Sequence, residues 1–259
     1  MAQHPFLFDV GSVTHAGRVR GRNEDSCLVR TDVGLWAVAD GMGGHEAGDL
    51  ASQILVQSLD AIGAPTSAAE LLAQCEERLF NANRQILALS RERRGGAIVG
   101  TTAMVLLVRD GHYACVWAGD SRAYLIHSGC IVQVSRDHSE LEELIAGGAL
   151  SREDVKGWPS NTITRAVGVA NDPELEVVTG EAQPGDIFVV CSDGLTRHLQ
   201  DDEILHHATA RRAQAACDEM LALTLARGGL DNVTIVIVRL LPPQTSEPTR
   251  SPLDREPLP

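Results

Sequence analysis

Lysine is almost missing from this chain: Lys156 is the single one among 259 residues, and arginine carries nearly all the positive charge. With no Gly-x-x-x-x-Gly-Lys-Ser/Thr segment, a Walker-type nucleotide site is excluded. Aromatic residues are only 3% of the chain, so its core has to be built from Val, Ile, Leu and Ala. The six cysteines (Cys27, Cys75, Cys115, Cys130, Cys191 and Cys217) form no Cys-x-x-Cys pair. None lies in a Gly- and Arg-rich loop that would make it a nucleophilic thiolate. Four sit in or beside apolar runs and read as buried, reduced thiols, as in a cytosolic protein. Apolar runs long enough to span a bilayer are absent, as is an N-terminal basic segment followed by a long apolar stretch. The expected location is therefore cytoplasmic. Positive charge is also in deficit overall, with a net charge of -13. That balance argues against nucleic acid and against anionic or inserted membrane contacts. No internal repeat is visible.

What is present is 44% hydrophobic residues, enough for one sizeable core in one large domain or at most two. Strands are expected at Cys27 to Arg30 and Leu35 to Ala39, around a turn at Asp32-Val33-Gly34. Apolar residues at helical spacing from Glu46 to Ile62 predict a helix. A second helix runs from an N-cap at Ser67 to about Arg91, closed by Gly95-Gly96. An antiparallel meander follows: Thr101 to Val108, Tyr113 to Ala118, Arg122 to His127 and Cys130 to Val134. Asp110-Gly111 and Ser128-Gly129 are its hairpin signals. His138 to Ala146 is expected to be helical and Gly147 to Asn161 irregular. Strands at Glu174 to Thr179 and Asp186 to Cys191 precede helices at Asp201 to Thr209 and Ala213 to Ala226. A last strand spans Asn232 to Leu240. Residues 1–241 read as a single domain, and the proline-rich stretch 242–259, with six prolines, as a disordered tail. Helices arriving in pairs between groups of antiparallel strands predict an α+β layered fold.

Five aspartates stand in small or glycine-rich turns beside apolar runs. They are Asp25 (Asn23-Glu24-Asp25-Ser26), Asp40 (Ala39-Asp40-Gly41-Met42-Gly43-Gly44), Asp120 (Gly119-Asp120-Ser121-Arg122), Asp193 (Ser192-Asp193-Gly194-Leu195) and Asp231 (Asp231-Asn232-Val233-Thr234). A carboxylate at the end of a buried strand is costly to desolvate unless a cation compensates it. Several such ends converging would make an all-oxygen site for a hard divalent ion, magnesium or manganese. Singly, Asp-Gly marks only a turn.

These segments, together with Gly17 to Ser26 and Gly100-Thr101-Thr102, occur in an order that resembles the metal-dependent serine/threonine phosphatases of the protein phosphatase 2C (PPM) family. The likeness extends from about Gly11 to Arg239. It implies a four-layer αββα sandwich: two central antiparallel sheets flanked by helices, with a metal cleft at one edge. It also implies hydrolysis of phosphoserine and phosphothreonine by attack of a metal-bridging hydroxide, with two Mn2+ or Mg2+ ions about 4 Å apart. By the same resemblance Asp40, the carbonyl of Gly41, Asp193 and Asp231 are metal ligands. Asp40 bridges the two core ions, Asp25 orients the attacking water, and Arg20 grips the substrate phosphate. Asp120 would help to bind a third, weaker ion; it also reads as a hairpin-turn residue pairing with Arg122. Arginine suits the phosphate role because its planar fork donates two parallel hydrogen bonds.

Met42 stands where eukaryotic members carry a histidine, as in the bacterial branch, and a methionine cannot protonate a leaving group. His45 is three residues away and could instead hold the glycine-rich loop. The other histidines read as surface residues. Gly147 to Asn161 matches the place of the family's flap beside the cleft. The expected partners are Ser/Thr-phosphorylated proteins, including a cognate bacterial Ser/Thr kinase and its substrates, and the expected state is a monomer. Two rival readings are a non-catalytic phosphoprotein-binding regulator and a hydrolase of small phosphoesters.

Overall fold

In the computed structural model, the described residues are 5–43, 47–92, 98–151 and 162–243. Two antiparallel sheets pack face to face. One contains β1 (Leu7–His15), β11 (Val233–Leu241), β10 (Ile187–Cys191), β7 (Arg122–His127) and β8 (Cys130–Gln133), in that spatial order. The other contains β2 (Asp25–Arg30), β3 (Leu35–Met42), β5 (Ala103–Arg109), β6 (His112–Ala118) and β9 (Glu176–Glu181), with the short β4 (Gly100–Thr101) paired to the end of β3. Helices α1 (Gly48–Asp60) and α2 (Ala68–Glu92) cover the second sheet. The first is covered by α4 (Asp193–Thr196), α5 (Asp201–Ala210) and α6 (Ala213–Ala226), while α3 (Glu140–Ala146) lies apart from both cores. The expected α+β sandwich is present.

Strand periodicity explains the layers. Along β3, Leu35, Ala37 and Ala39 face the helices, whereas Trp36 and Val38 face the opposite sheet. Along β11, Ile235 and Ile237 face the helices, and Val236, Val238 and Leu240 point inward. The inter-sheet layer gathers the rings Phe6, Phe8, Trp36, Tyr113, Trp117 and Phe188 among its aliphatic side chains, whereas the cores under the helices are almost wholly aliphatic. The scarcity of aromatics in the sequence is thus met by concentrating them between the sheets.

Most boundaries fall within two residues of the sequence expectations. Both hairpins form as expected, with Asp110 and Gly111 at φ 51° and 78° and Ser128 and Gly129 at φ 51° and 79°. The N-cap at Ser67 is also present, its hydroxyl accepting the Glu70 N–H at 3.1 Å. Strand β9 begins at Glu176 rather than Glu174, because Glu174 sits at φ 48° in a turn.

Three expectations are corrected. The meander is broken: β6 pairs with β5 and β9, whereas β7 pairs with β8 and β10, so the chain changes sheets at Gly119-Asp120-Ser121. Strand β1 was not anticipated, since polar residues interrupt its apolar pattern; pairing along all of β11 makes it a strand. His138 is buried rather than at the surface, stacked on Trp117 at 5.9 Å and accepting the Gly119 N–H at 3.1 Å. Among the described residues no helix is long and apolar enough to cross a membrane. The tail from Gln244, the residues Gly44 to Glu46, the residues Arg93 to Ala97 and the stretch Arg152 to Asn161 lie outside the described residues, and with them the expectations for His45, for the Gly95-Gly96 helix end, for most of the flap and for the tail.

Candidate active site

The inter-sheet layer turns polar at one end. Continuing the inward-facing set of β3 beyond Trp36 and Val38 gives Asp40, and continuing that of β10 beyond Phe188 and Val190 gives Ser192. On β11 the inward set runs from Val236 back to Thr234. A period of two thus carries each strand from core to site without a change of face. Asp25 stands opposite Asp40 across the β2–β3 ladder. It is buried, and its Oδ2 accepts hydrogen bonds from Ser192 Oγ at 2.8 Å and Thr234 Oγ1 at 2.7 Å. Asp25 therefore ties one sheet to the other at the site.

Asp40 is fixed through its backbone. Its N–H donates to Thr102 Oγ1 at 2.9 Å, and its carbonyl accepts the Thr102 N–H at 2.8 Å and the Thr101 hydroxyl at 3.0 Å. Thr102 Oγ1 also meets Ser121 Oγ at 2.8 Å, joining the end of β3 to the crossover that carries Asp120. Glycine is required at Gly41, because a Cβ there would lie 2.0 Å from the Gly48 carbonyl oxygen. This contact seats the start of α1 against the end of β3. Gly194 is tighter still, with a Cβ position 1.8 Å from the Asn232 oxygen, which locks α4 onto the turn before β11.

Asn232 organises the segment that carries Arg20. Its side-chain amide donates to the carbonyls of Ala16 and Arg22, and its Oδ1 accepts the Glu24 N–H at 2.8 Å. Arg20 reaches back to Asp231, with Nε 2.9 Å from Oδ1 and Nη2 2.9 Å from Oδ2. Asp193 is held by Arg197, whose Nε donates to Oδ2 at 2.9 Å, and Arg197 Nη1 lies 3.2 Å from Asp231 Oδ2. The expected Asp120–Arg122 pair does not form. Arg122 instead grips Asp137, with Nη2 to Oδ2 at 2.6 Å and Nε to Oδ1 at 2.9 Å. Arg122 is on β7 and Asp137 follows β8, whereas Asp120 lies in the crossover and is left to the acidic cluster.

The electrostatics of the cluster are severe. Burial, with neighbouring carboxylates adding to it, pushes Asp25 and Asp120 up to about 7. Asp40 is raised well above the usual carboxylate range, by burial first and then by Asp25, Asp193, Asp120 and Asp231. Burial also raises Asp193, with Arg197 opposing. Among the described residues, two buried carboxylate oxygens, Asp25 Oδ1 and Asp193 Oδ1, have no hydrogen-bond partner. Orphaned oxygens of this kind are costly unless a cation satisfies them.

The donor set fits a hard divalent cation: oxygens only, several of them anionic, with neither thiolate nor imidazole among them. Among the described residues no three Asp, Glu, His or Cys side chains are already arranged as a cage around one point. Asp193 and Asp231 are turned toward the guanidinium groups of Arg197 and Arg20. Cys75, Cys115, Cys191 and Cys217 are buried, and burial holds the Cys191 thiol up at about 12.

Comparison with known proteins agrees with this geometry. The pattern of the family described as Protein phosphatase 2C matches residues 15–227, and the chain belongs to that family. It is 30% identical over 237 residues to serine/threonine protein phosphatase PstP of Mycobacterium tuberculosis, covering 92% of this chain and 46% of that protein. The chain thus spans about half the length of that relative. Serine/threonine phosphatase Stp of Listeria monocytogenes is 31% identical, with 87% of this chain and 93% of that one covered. Among solved structures, PppA of Pseudomonas aeruginosa, a key regulatory component of the T6SS there, superposes with a TM-score of 0.84 at 35% identity, covering 92% of this chain and all of that one. The catalytic domain of PstP, solved in complex with two manganese ions, superposes with a TM-score of 0.81 at 30% identity over 90% of this chain and 98% of that one.

Of the residues singled out in the sequence, Asp25, Asp40, Asp120, Asp193, Asp231 and Arg20 gather at this end of the sandwich, linked by these contacts and by the effect of each charge on the others. Arg197, Asn232, Ser192, Thr234 and Thr102 received no role from the sequence. Arg197 had a readable signal, lying four residues after Asp193 and so one helical turn away. For Ser192 and Thr234 the signal was parity with the inward faces of β10 and β11.

Proposed function

We propose that this chain is a manganese- or magnesium-dependent phosphoprotein phosphatase that hydrolyses phosphoserine and phosphothreonine. The observation that carries this reading is the convergence of five aspartates from separate elements and turns, each acting on the charge of others and two of them with buried oxygens unpartnered among the described residues, within a chain of the protein phosphatase 2C family. Asp40, the Gly41 carbonyl, Asp193 and Asp231 would hold two ions, and Asp120 would contribute to a third. When bound, such ions supply Lewis acidity, making water a nucleophile at neutral pH and offsetting charge on the phosphoryl oxygens. The two manganese ions in the PstP structure support this choice.

The chain's own residues do the rest. Arg20 leaves 55% of its side chain exposed on a segment clamped by Asn232, so its fork can turn from Asp231 to a phosphate. Asp25 is fixed by two hydroxyl donors on Oδ2, and its buried Oδ1, without a partner among the described residues, would accept a hydrogen bond from the attacking water. Met42 ends β3 beside Asp40 and Gly41 and offers no proton, so protonation of the leaving alkoxide would fall to water or to a nearby residue. The substrates would be Ser/Thr-phosphorylated proteins, with a cognate bacterial kinase acting in opposition in the cytoplasm, and the enzyme a monomer. The likeness to PppA makes regulated secretion the first setting to examine.

The test is release of phosphate from a phosphothreonine peptide by protein stripped of metal and then titrated with manganese. Manganese-dependent turnover, with a higher kcat/KM on the peptide than on a small aryl phosphate, supports the reading. Binding of the peptide without hydrolysis under any metal would move the chain to the class of phosphoprotein-binding regulators.

A further inference from the structure

Arg197 holds an unusual place in the acidic cluster. It caps α4, with its N–H donating to the Asp193 carbonyl at 2.9 Å, so the side chains of Asp193 and Arg197 share one face of a single turn. Two of its guanidinium nitrogens, Nε and Nη2, contact Asp193 Oδ2, and the third, Nη1, lies against Asp231 Oδ2. It also lines a cavity of about 210 Å³ together with Asp193, Asp120, Asp137 and Ser139, and the charges of Asp193, Asp231 and Asp120 all act on its guanidinium. Its side chain remains 32% exposed, which leaves a route to solvent without any movement of the backbone.

A carboxylate oxygen engaged by N–H donors does not offer the same lone pair to an ion. A fixed positive charge a few ångströms away also opposes a divalent cation directly. Arginine cannot deprotonate to relieve that opposition, so it has to move. We infer that Arg197 is a built-in counter-cation of the cluster, a guanidinium that competes with divalent ions for Asp193 and Asp231 and thereby sets how tightly the chain holds metal. The inference rests on the reading of these two aspartates as ligands. It gives the chain two arrangements: one closed on arginine, and one open to ions with Arg197 swung outward from Asp193 and Arg20 turned from Asp231. Apparent metal affinity is reduced by the population of the closed arrangement.

Calorimetric titration of manganese into the metal-stripped full chain tests this with no readout of activity. Wild type, Arg197→Gln and Arg197→Lys are compared, with melting temperatures taken before and after metal. The glutamine variant should bind manganese more tightly by about tenfold or more, and the lysine variant should fall between it and wild type. Stripped Arg197→Gln should melt below stripped wild type, because the carboxylates lose their counter-charge, and its rise on adding manganese should be the larger. Equal or weaker manganese binding by a folded glutamine variant overturns the inference, since Arg197 would then be neutral toward the ions or would be orienting Asp193 for them. If the glutamine variant does not fold, a lysine variant with wild-type affinity overturns it as well. Failure of wild type itself to bind manganese removes the metal reading, and this inference with it.

Discussion

Asp25 and Asp40 are directly opposed residues on neighbouring antiparallel strands, so two carboxylates face one another at the buried end of the inter-sheet layer. Like charges in that relation destabilise a sheet. In this chain each is raised far from its ordinary range, by burial first and then by surrounding acids. A pair that costs stability in the bare chain, and that a divalent cation would reward, fits a site kept for function.

Neutralising one member separates stability from function. Asp40→Asn removes charge from the pair while keeping its shape, so the stripped variant should melt no lower than stripped wild type. Its manganese binding and turnover should fall by orders of magnitude. A variant that melts much lower while still binding manganese normally would mean that Asp40 serves the fold rather than the ion.

The same burial gives a pH dependence with a definite sign. In the unfolded chain Asp25 and Asp120 ionise near 4, whereas in the folded chain they retain protons up to about 7. Between those values the folded state binds more protons, so its stability falls as pH rises. This contribution is fully present below about pH 4 and is lost as pH passes through about 7. Chelator-treated protein should lose melting temperature between about pH 5 and pH 7.5, and saturating manganese should flatten or reverse the trend. A stripped protein that gains stability over that window would contradict the burial of these two acids in protonated form.

Arg20→Ala should mainly raise KM for phosphopeptide, with a smaller change in kcat, because the guanidinium binds phosphate in ground state and transition state alike. Steady-state kinetics at saturating manganese reads this directly, and an unchanged KM removes Arg20 from the phosphate role.

Gly194→Ala places a methyl 1.8 Å from the Asn232 backbone oxygen, a collision no rotamer relieves. The cost should be at least about 3 kcal/mol, seen as a lowered denaturation midpoint. A midpoint within error of wild type would show that the turn before β11 yields easily, and that α4 is not held as described.

Much of this was legible in the sequence because local signals and tertiary structure agree. Asp110-Gly111 and Ser128-Gly129 demand hairpins and form them. Of the apolar stripe Leu71, Leu72, Cys75, Leu79, Phe80, Ile86 and Leu87, the residues Leu71, Cys75, Leu79 and Ile86 become the buried face of α2, while Leu72 and Leu87 lie at its edge and Phe80 is exposed. The aspartates were visible through their turns and through the family's motif order. What sequence hid was long-range. Strand β1 exists by virtue of its pairing with β11 from the opposite end of the chain, Leu7 against Leu241 and His15 against Val233, and its own polar residues argue for a loop. The exchange of sheets at Gly119-Asp120-Ser121 resembles a hairpin turn in sequence. Gly119 at φ 116°, packed on the Thr102 side chain, sends the chain across instead. Arg122 was assigned to its sequence neighbour Asp120, but the partner it finds is Asp137, brought up by the β7–β8 hairpin.

The most direct test of the central claim is manganese-dependent hydrolysis of a phosphothreonine peptide by wild type beside Asp193→Asn, each stripped and retitrated, with manganese binding followed in parallel. The account predicts turnover restored by manganese in wild type, and both binding and turnover reduced by orders of magnitude in the variant. Wild type inert across manganese and magnesium, or a variant that turns over within about tenfold of wild type, would contradict it.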